Sequence, residues 1–204
     1  MRGLINGLVV GMAFALGAAQ AVPVSALEVN QPAPHFTLTD SKGQAHQLAD
    51  FAGKYVVLEW VNYECPFVRK QYDTKNMQAL QRQLTADGVV WLSVNSSAEG
   101  KQGYFSAEEI NRRIAAQEAA PTSYLMDSDG TVGRLYGAQT TPHIFLISPE
   151  GTLIYQGAID DQPGLDHAIV GEAENYLLRA YNEARAGQPV SLPATKSYGC
   201  SVKY

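Results

Sequence analysis

The sequence predicts an α/β fold: a central mixed β-sheet flanked by helices, with an N-terminal β-hairpin extension. Two observations predict it. The stretches "KYVVLEWV" (54–61), "VVWLSVN" (89–95) and "HIFLIS" (143–148) are nearly continuous apolar runs of strand length, the pattern of strands buried on both faces. Between and after them the apolar spacing lengthens to that of amphipathic helices, punctuated by Pro and Gly.

Each element follows in order. Phe36–Thr39 and Gln44–Leu48 are short extended runs around the turn residues Asp40, Ser41 and Gly43, which reads as a β-hairpin. After the strand at 54–61, a helical pattern starts at Pro66 and runs to about Leu84, with a break near Asp73–Thr74, and Gly88 ends it. The second buried strand leads into the polar loop "SSAEGKQGYFS" (96–106). Ser106 followed by Glu109 is a capping box for a helix to about Glu118. "SYLMD" (123–127) is a short strand, and "GTVGRLYG" (130–137) is a short helix closed by Gly137. "PEG" (149–151) turns the third buried strand into "TLIYQGA" (152–158), which pairs back antiparallel. A final helix is expected from about Gly164 to Ala186, with Ile169, Ala173, Tyr176, Leu177 and Ala180 on one face. A β-α-β half followed by a β-β-α half on one sheet, joined by right-handed crossovers, is the thioredoxin-type arrangement.

Bulk properties narrow the function. A chain of 204 residues with 46% hydrophobic content can bury one substantial core. The net charge is −5 and there is no Lys/Arg run, so nucleic acid is not expected as a partner. Arg2 precedes the apolar run Leu4–Ala19, and small residues follow at Ala19, Ala21 and Ala26. That is a signal-peptide pattern, and the run is shorter than the roughly 20 residues of a membrane span. The expected organisation is a leader at 1–26 cleaved after Ala21 or Ala26, an α/β domain of the thioredoxin-type arrangement at 27–187, and a C-terminal tail at 188–204. The mature protein is then periplasmic or otherwise exported, with no stable membrane span after processing. Outside the cytoplasm disulfides persist, and the chain has two cysteines, Cys65 and Cys200.

Cys65 stands at a strand end, immediately before Pro66 at the start of a helix. Proline favours the first helical position, which makes Cys65 the N-cap. A thiol reacts as thiolate, and a helix N-terminus favours that form. Arg69, four residues on, is expected one turn above the sulfur, where it would stabilise the charge. The alternative is a buried, inert cysteine. In "TTPH" (140–143), a proline stands just before a strong strand, where it cannot join the ladder. In thioredoxin-type folds the equivalent proline is cis and faces the active cysteine, which implicates Thr141 and Pro142. No zinc-type cluster is present, and no metal or cofactor is called for. Asp160–Asp161 read as a helix cap or a solvated turn.

The chain resembles the peroxiredoxin-like branch of the thioredoxin superfamily, related to the alkyl hydroperoxide reductase and thiol-specific antioxidant proteins. "ECPFVRK", "GVVWLSVNSS", "VGRLYGAQTTPHIFLISPEGTLIYQGAIDD" and "YGCSVKY" carry the resemblance in order along nearly all of the mature chain. It implies a thiol oxidoreductase acting on a peroxide or a disulfide, recharged by an external thiol reductant. The chain departs from the family at three places. The Pro and the Thr/Ser that peroxiredoxins carry seven and three residues before the cysteine are Leu58 and Asn62, and the second cysteine of thioredoxins is Val68. The tail then gains weight: Cys200 could resolve a sulfenate or a mixed disulfide at Cys65. It could equally form a permanent Cys65–Cys200 staple in a non-catalytic binding module, or an intermolecular bridge. The expected catalytic set is Cys65, Cys200, Arg69, Asn62, Pro142 and Thr141.

Overall fold

The structure, a computed structural model, describes residues 27–204. The leader expected at 1–26 lies outside the described residues. The elements in chain order are β1 (Thr37–Asp40), β2 (Ala45–Gln47), β3 (Val56–Trp60), α1 (Pro66–Asp73), α2 (Asn76–Ala86), β4 (Val90–Asn95), α3 (Ala107–Gln117), β5 (Ser123–Met126), α4 (Thr131–Leu135), β6 (Thr140–Thr141), β7 (His143–Ile147), β8 (Leu153–Gly157), α5 (Tyr176–Arg185) and β9 (Cys200–Ser201).

The main sheet runs β2-β1-β5-β4-β3-β7-β8. The β3–β4 and β4–β5 pairs are parallel, while β3–β7 and β7–β8 are antiparallel. The three apolar runs are thus its central strands β3, β4 and β7, and all their residues are buried. Strand alternation divides the core. Val56, Leu58 and Trp60 of β3 pack with Phe145, Val132 and Tyr136 on one face. Val57 and Val61 pack with Tyr72, Met77, Leu84, Ile110 and Leu177, under α1, α2, α3 and α5, on the other. That second face also receives Glu59, which is fully buried.

The helix expected from Pro66 onward breaks where the sequence indicated, because Lys75 adopts a left-handed conformation (φ 61°) between α1 and α2. The Ser106 hydroxyl caps α3 by accepting from the Glu109 N–H at 3.2 Å. The last helix is shorter than expected. Gly164 to Asn175 holds only a short 3₁₀ turn, Val170–Glu172, and α5 begins at Tyr176. The reason is local. Ala173 is extended (ψ 138°), and the Asn175 side chain caps α5 by accepting from Leu178 N–H at 2.8 Å. Tyr176 N–H bonds back to Ile159 O at 3.0 Å. Capping and pairing to β8's exit loop satisfy the backbone better than extending the helix upstream.

After α5 the chain returns along β8, where Thr195 N–H donates to Gln156 O at 3.0 Å. It ends as β9, which pairs antiparallel with β6 in the register Thr140–Ser201 and Thr141–Cys200. Among the described residues no helix is long and apolar enough to cross a membrane.

Candidate active site

Cys65 is the N-cap of α1, with an extended backbone (φ −73°, ψ 126°) and Pro66 at the first helical position. Its backbone N–H donates to Asn62 O at 2.9 Å, which closes the loop between β3 and α1. Its side chain does not cap the helix. The sulfur instead lies 3.0 Å from the Thr141 carbonyl oxygen, within hydrogen-bonding range for a thiol. The Thr141–Pro142 peptide bond is cis, so the loop before β7 faces Cys65 as the "TTPH" motif implied.

Cys200 completes the group. Both thiols are free, and their sulfurs stand 2.7 Å apart although 135 positions separate them in the chain. The β6–β9 pair produces this juxtaposition, because its register sets Cys200 opposite Thr141, whose carbonyl oxygen is the one the Cys65 sulfur faces. Gly199 lets the tail approach so closely: it has φ +138°, and a Cβ there would overlap the Thr141 carbonyl. The strand's far side is tied down too. Val202 N–H donates to Gln139 O at 3.0 Å, Ala98 N–H to Lys203 O at 2.7 Å, and Tyr204 OH to Ala138 O at 2.7 Å. The tail therefore lies against Cys65, whose exposure is 0%.

Burial, the neighbouring Cys65 sulfur and its charge push the Cys200 thiol up to about 12. Cys200 is thus a protonated thiol beside Cys65 at neutral pH. Burial pushes His143 down to about 4. Its ring packs 4.4 Å from Phe145 and accepts from Gln139 N–H at 3.3 Å, so it is a neutral structural histidine. The Thr141 hydroxyl is buried without a hydrogen-bond partner among the described residues.

Two expected site residues stand elsewhere. Arg69 is exposed and pairs with Asp73 at 3.8 Å along α1. The buried residues of α1 are Val68, Lys70, Gln71 and Tyr72, and Arg69 falls on the opposite side. Asn62 is buried, but its side chain serves the loop. Its Oδ1 accepts from Glu64 N–H at 2.9 Å, and its Nδ2 donates to Gln102 O at 3.4 Å. Glu64 accepts from Gly103 N–H at 3.1 Å.

The structure also assembles groups that the sequence reading passed over. Glu59 accepts from Trp91 Nε1 at 2.8 Å, Tyr72 OH at 2.9 Å, Ser93 OH at 3.0 Å and Gln81 Nε2 at 3.2 Å. Burial raises its pKa, and these four donors oppose the rise. The visible signal was a single charged residue inside an apolar run. Asp160 is buried rather than solvated. It accepts from Gln71 Nε2 at 2.6 Å and from Tyr198 OH. A cavity of about 280 Å³ lined by Leu48, Phe51, Val56, Ile147 and Pro149 lies at the opposite end of β3 from Cys65.

With this geometry in view, the relatives can be placed. A family model described as AhpC/TSA family matches residues 29–156, more than half of the chain. The chain belongs to the AhpC/TSA family. Membership makes it an oxidoreductase of the redoxin type. It is 31% identical over 123 residues to the thiol-disulfide oxidoreductase ResA of Geobacillus kaustophilus, covering 54% of this chain and 70% of that protein. The thioredoxin-like fold recurs in the crystal structure of an uncharacterized conserved protein from Geobacillus kaustophilus. That chain is 25% identical, with a TM-score of 0.76 over 87% of this chain and 92% of the other. A hypothetical protein from Sinorhizobium meliloti 1021 shares the fold at 24% identity, with a TM-score of 0.74 over 88% of this chain and 96% of that one. The family match ends before the tail, so the place of Cys200 rests on the geometry alone.

Proposed function

We propose that this protein is an exported thiol-disulfide oxidoreductase in which Cys65 is the attacking thiol and Cys200 the resolving thiol. The observation that carries the reading is the 2.7 Å separation of two free sulfurs, one at a helix start and one in a tail strand. The Cys65 thiolate attacks one sulfur of a substrate disulfide. A mixed disulfide forms, and one substrate thiolate leaves and takes up a proton. Cys200 then attacks Cys65 Sγ, the Cys65–Cys200 bond forms, and the second substrate thiol departs. The substrate gains two electrons and two protons, and the two cysteines lose them. An external dithiol reverses the oxidation.

The raised pKa of Cys200 suits this order. The Cys65 sulfur and its charge are among the causes of the rise. Once Cys65 is bonded to substrate, those contributions go and Cys200 ionises more readily. Thr141 offers a buried hydroxyl beside the exchanging sulfurs, cis-Pro142 shapes the facing loop, and Asn62 holds the turn that presents Cys65. A disulfide substrate is favoured over a peroxide because Asn62 stands where peroxiredoxins carry a Thr/Ser hydroxyl, and its side chain is engaged in its own loop. Export rests on the leader pattern in residues 1–26.

The test is to reduce the purified chain and challenge it separately with one equivalent of oxidised glutathione or hydrogen peroxide. The products are mapped by non-reducing peptide mass spectrometry. Rapid formation of a Cys65–Cys200 bridge with glutathione is expected, with a Cys65–glutathione adduct accumulating in Cys200→Ser. Faster bridging with peroxide would replace the disulfide reading with a peroxidase one. A bridge that resists reduction by dithiols would leave a structural staple.

A further inference from the structure

The tail residue two positions before Cys200 is joined to the helix that begins at Cys65. Tyr198 donates its hydroxyl hydrogen to Asp160 Oδ1. The other carboxylate oxygen accepts from Gln71 Nε2 at 2.6 Å, and Asn76 Nδ2 donates to Gln71 Oε1 at 2.6 Å, which fixes the amide. Gln71 is fully buried and Asp160 nearly so. The Tyr198 ring is gripped on α1 as well. Phe67 stands 6.0 Å from it, and the Lys70 ammonium is 5.2 Å from the ring centroid. Lys70, itself buried, donates to Gln162 O at 2.5 Å. One aromatic residue of the tail is thus clasped between α1 and the loop after β8. A hydrogen bond to a carboxylate is worth more than a neutral one, and losing it from a buried site is costly.

We infer that Tyr198, through Asp160 and Gln71, is a positioning clasp that sets how much of the time Cys200 stands against Cys65. The inference rests on the proposed exchange between these two cysteines. It follows from two features together. Cys65 is wholly buried with Cys200 against it, and on this reading a substrate reaches it when the tail lifts. Cys200 resolves only when the tail returns. The clasp weights these two positions, favouring intramolecular resolution and limiting access. Burial and the Asp160 carboxylate hold the Tyr198 hydroxyl protonated as the donor.

The experiment compares wild type with Tyr198→Phe, which removes the hydroxyl and keeps the ring. Asp160 retains Gln71 and the Gln162 N–H, the latter at 3.0 Å, so the variant is expected to fold. The first readout is the equilibrium constant for reduced protein plus oxidised glutathione giving the Cys65–Cys200 disulfide plus two reduced glutathiones. It should fall in Tyr198→Phe, by about tenfold at most, the size of losing one hydrogen bond to a carboxylate, reached where the reduced tail is mostly lifted. Asp160→Asn, which keeps an acceptor without the charge, should fall less. The second readout is the iodoacetamide alkylation rate of Cys65 in a Cys200→Ser background, which should rise when Tyr198→Phe is added. Loss of global stability alone would move the thermal midpoint and leave the glutathione constant unchanged. A constant within about twofold of wild type, with no rise in alkylation, overturns the clasp. If wild type forms no Cys65–Cys200 bridge, the exchange reading fails instead, and the alkylation rate still decides the clasp.

Discussion

Oxidising the Cys65–Cys200 pair should stabilise the fold strongly, and the size follows from where the two residues lie. They are 135 positions apart. On the chain-entropy model, cross-linking so long a loop removes about 5 kcal/mol of freedom from the unfolded chain. The full amount is delivered only where the native structure already holds the sulfurs together without rearrangement. Here β6–β9 pairing and Gly199's approach to Thr141 do so in the reduced state. At about 2–4 °C per kcal/mol for a domain of this size, the melting temperature should rise by about 10–20 °C on oxidation. The assay is scanning calorimetry of the fully reduced and fully oxidised monomer, with Cys200→Ser as the control that cannot respond. A rise below about 3 °C, or a fall, would refute the reasoning, since it would mean that the bond forms only by distorting the fold. Oxidation that yields covalent dimers on non-reducing gels would refute the intramolecular pairing itself.

Further expectations concern single groups. Glu59→Ala strands the Trp91 and Ser93 donors in the core and should cost about 3–5 kcal/mol in urea unfolding; a loss below about 1 kcal/mol would mean that the network carries no such weight. Because the folded pKa of Cys200 is raised from 9.0 to about 12, its contribution to stability is present below pH 9 and is lost as pH rises through about 12. The difference in stability between the reduced chain and Cys200→Ser should therefore shrink across that window, and a flat difference would contradict the assigned shift. Arg69→Ala removes only an exposed pair with Asp73, so the rate of Cys65 reaction with glutathione should stay within about twofold. A tenfold drop would restore Arg69 to the site.

Much of the architecture was legible before any coordinates. Apolar runs at 54–61, 89–95 and 143–148 have the length and composition of buried strands, and they form the central strands of the sheet. Ser106, the break after Asp73 and the turn residues of the first hairpin were local signals with local outcomes. The last helix is shorter than its sequence pattern because the upstream half is decided by non-local pairing, in which Tyr176 N–H reaches Ile159 O. Arg69 lies on the exposed side of α1 for a related reason. Spacing gives the helical phase, but which face packs inward depends on the sheet beneath, and α1 turns Lys70 and Gln71 inward instead.

By itself the sequence determined that Cys65 opens a helix at the end of a buried strand and that a proline loop stands before another. Proline at the first helical position and its exclusion from strand ladders are properties of the chain's own covalent geometry. Only the tertiary structure decided that the two sulfurs meet, that the tail lies against Cys65, and that Asp160 is a buried acceptor for Tyr198 rather than a surface turn. Those depend on pairing β9 with β6 and seating Tyr198 against α1 across more than a hundred residues of chain. Such pairings are settled by packing and backbone satisfaction of the whole fold, and no local pattern encodes them.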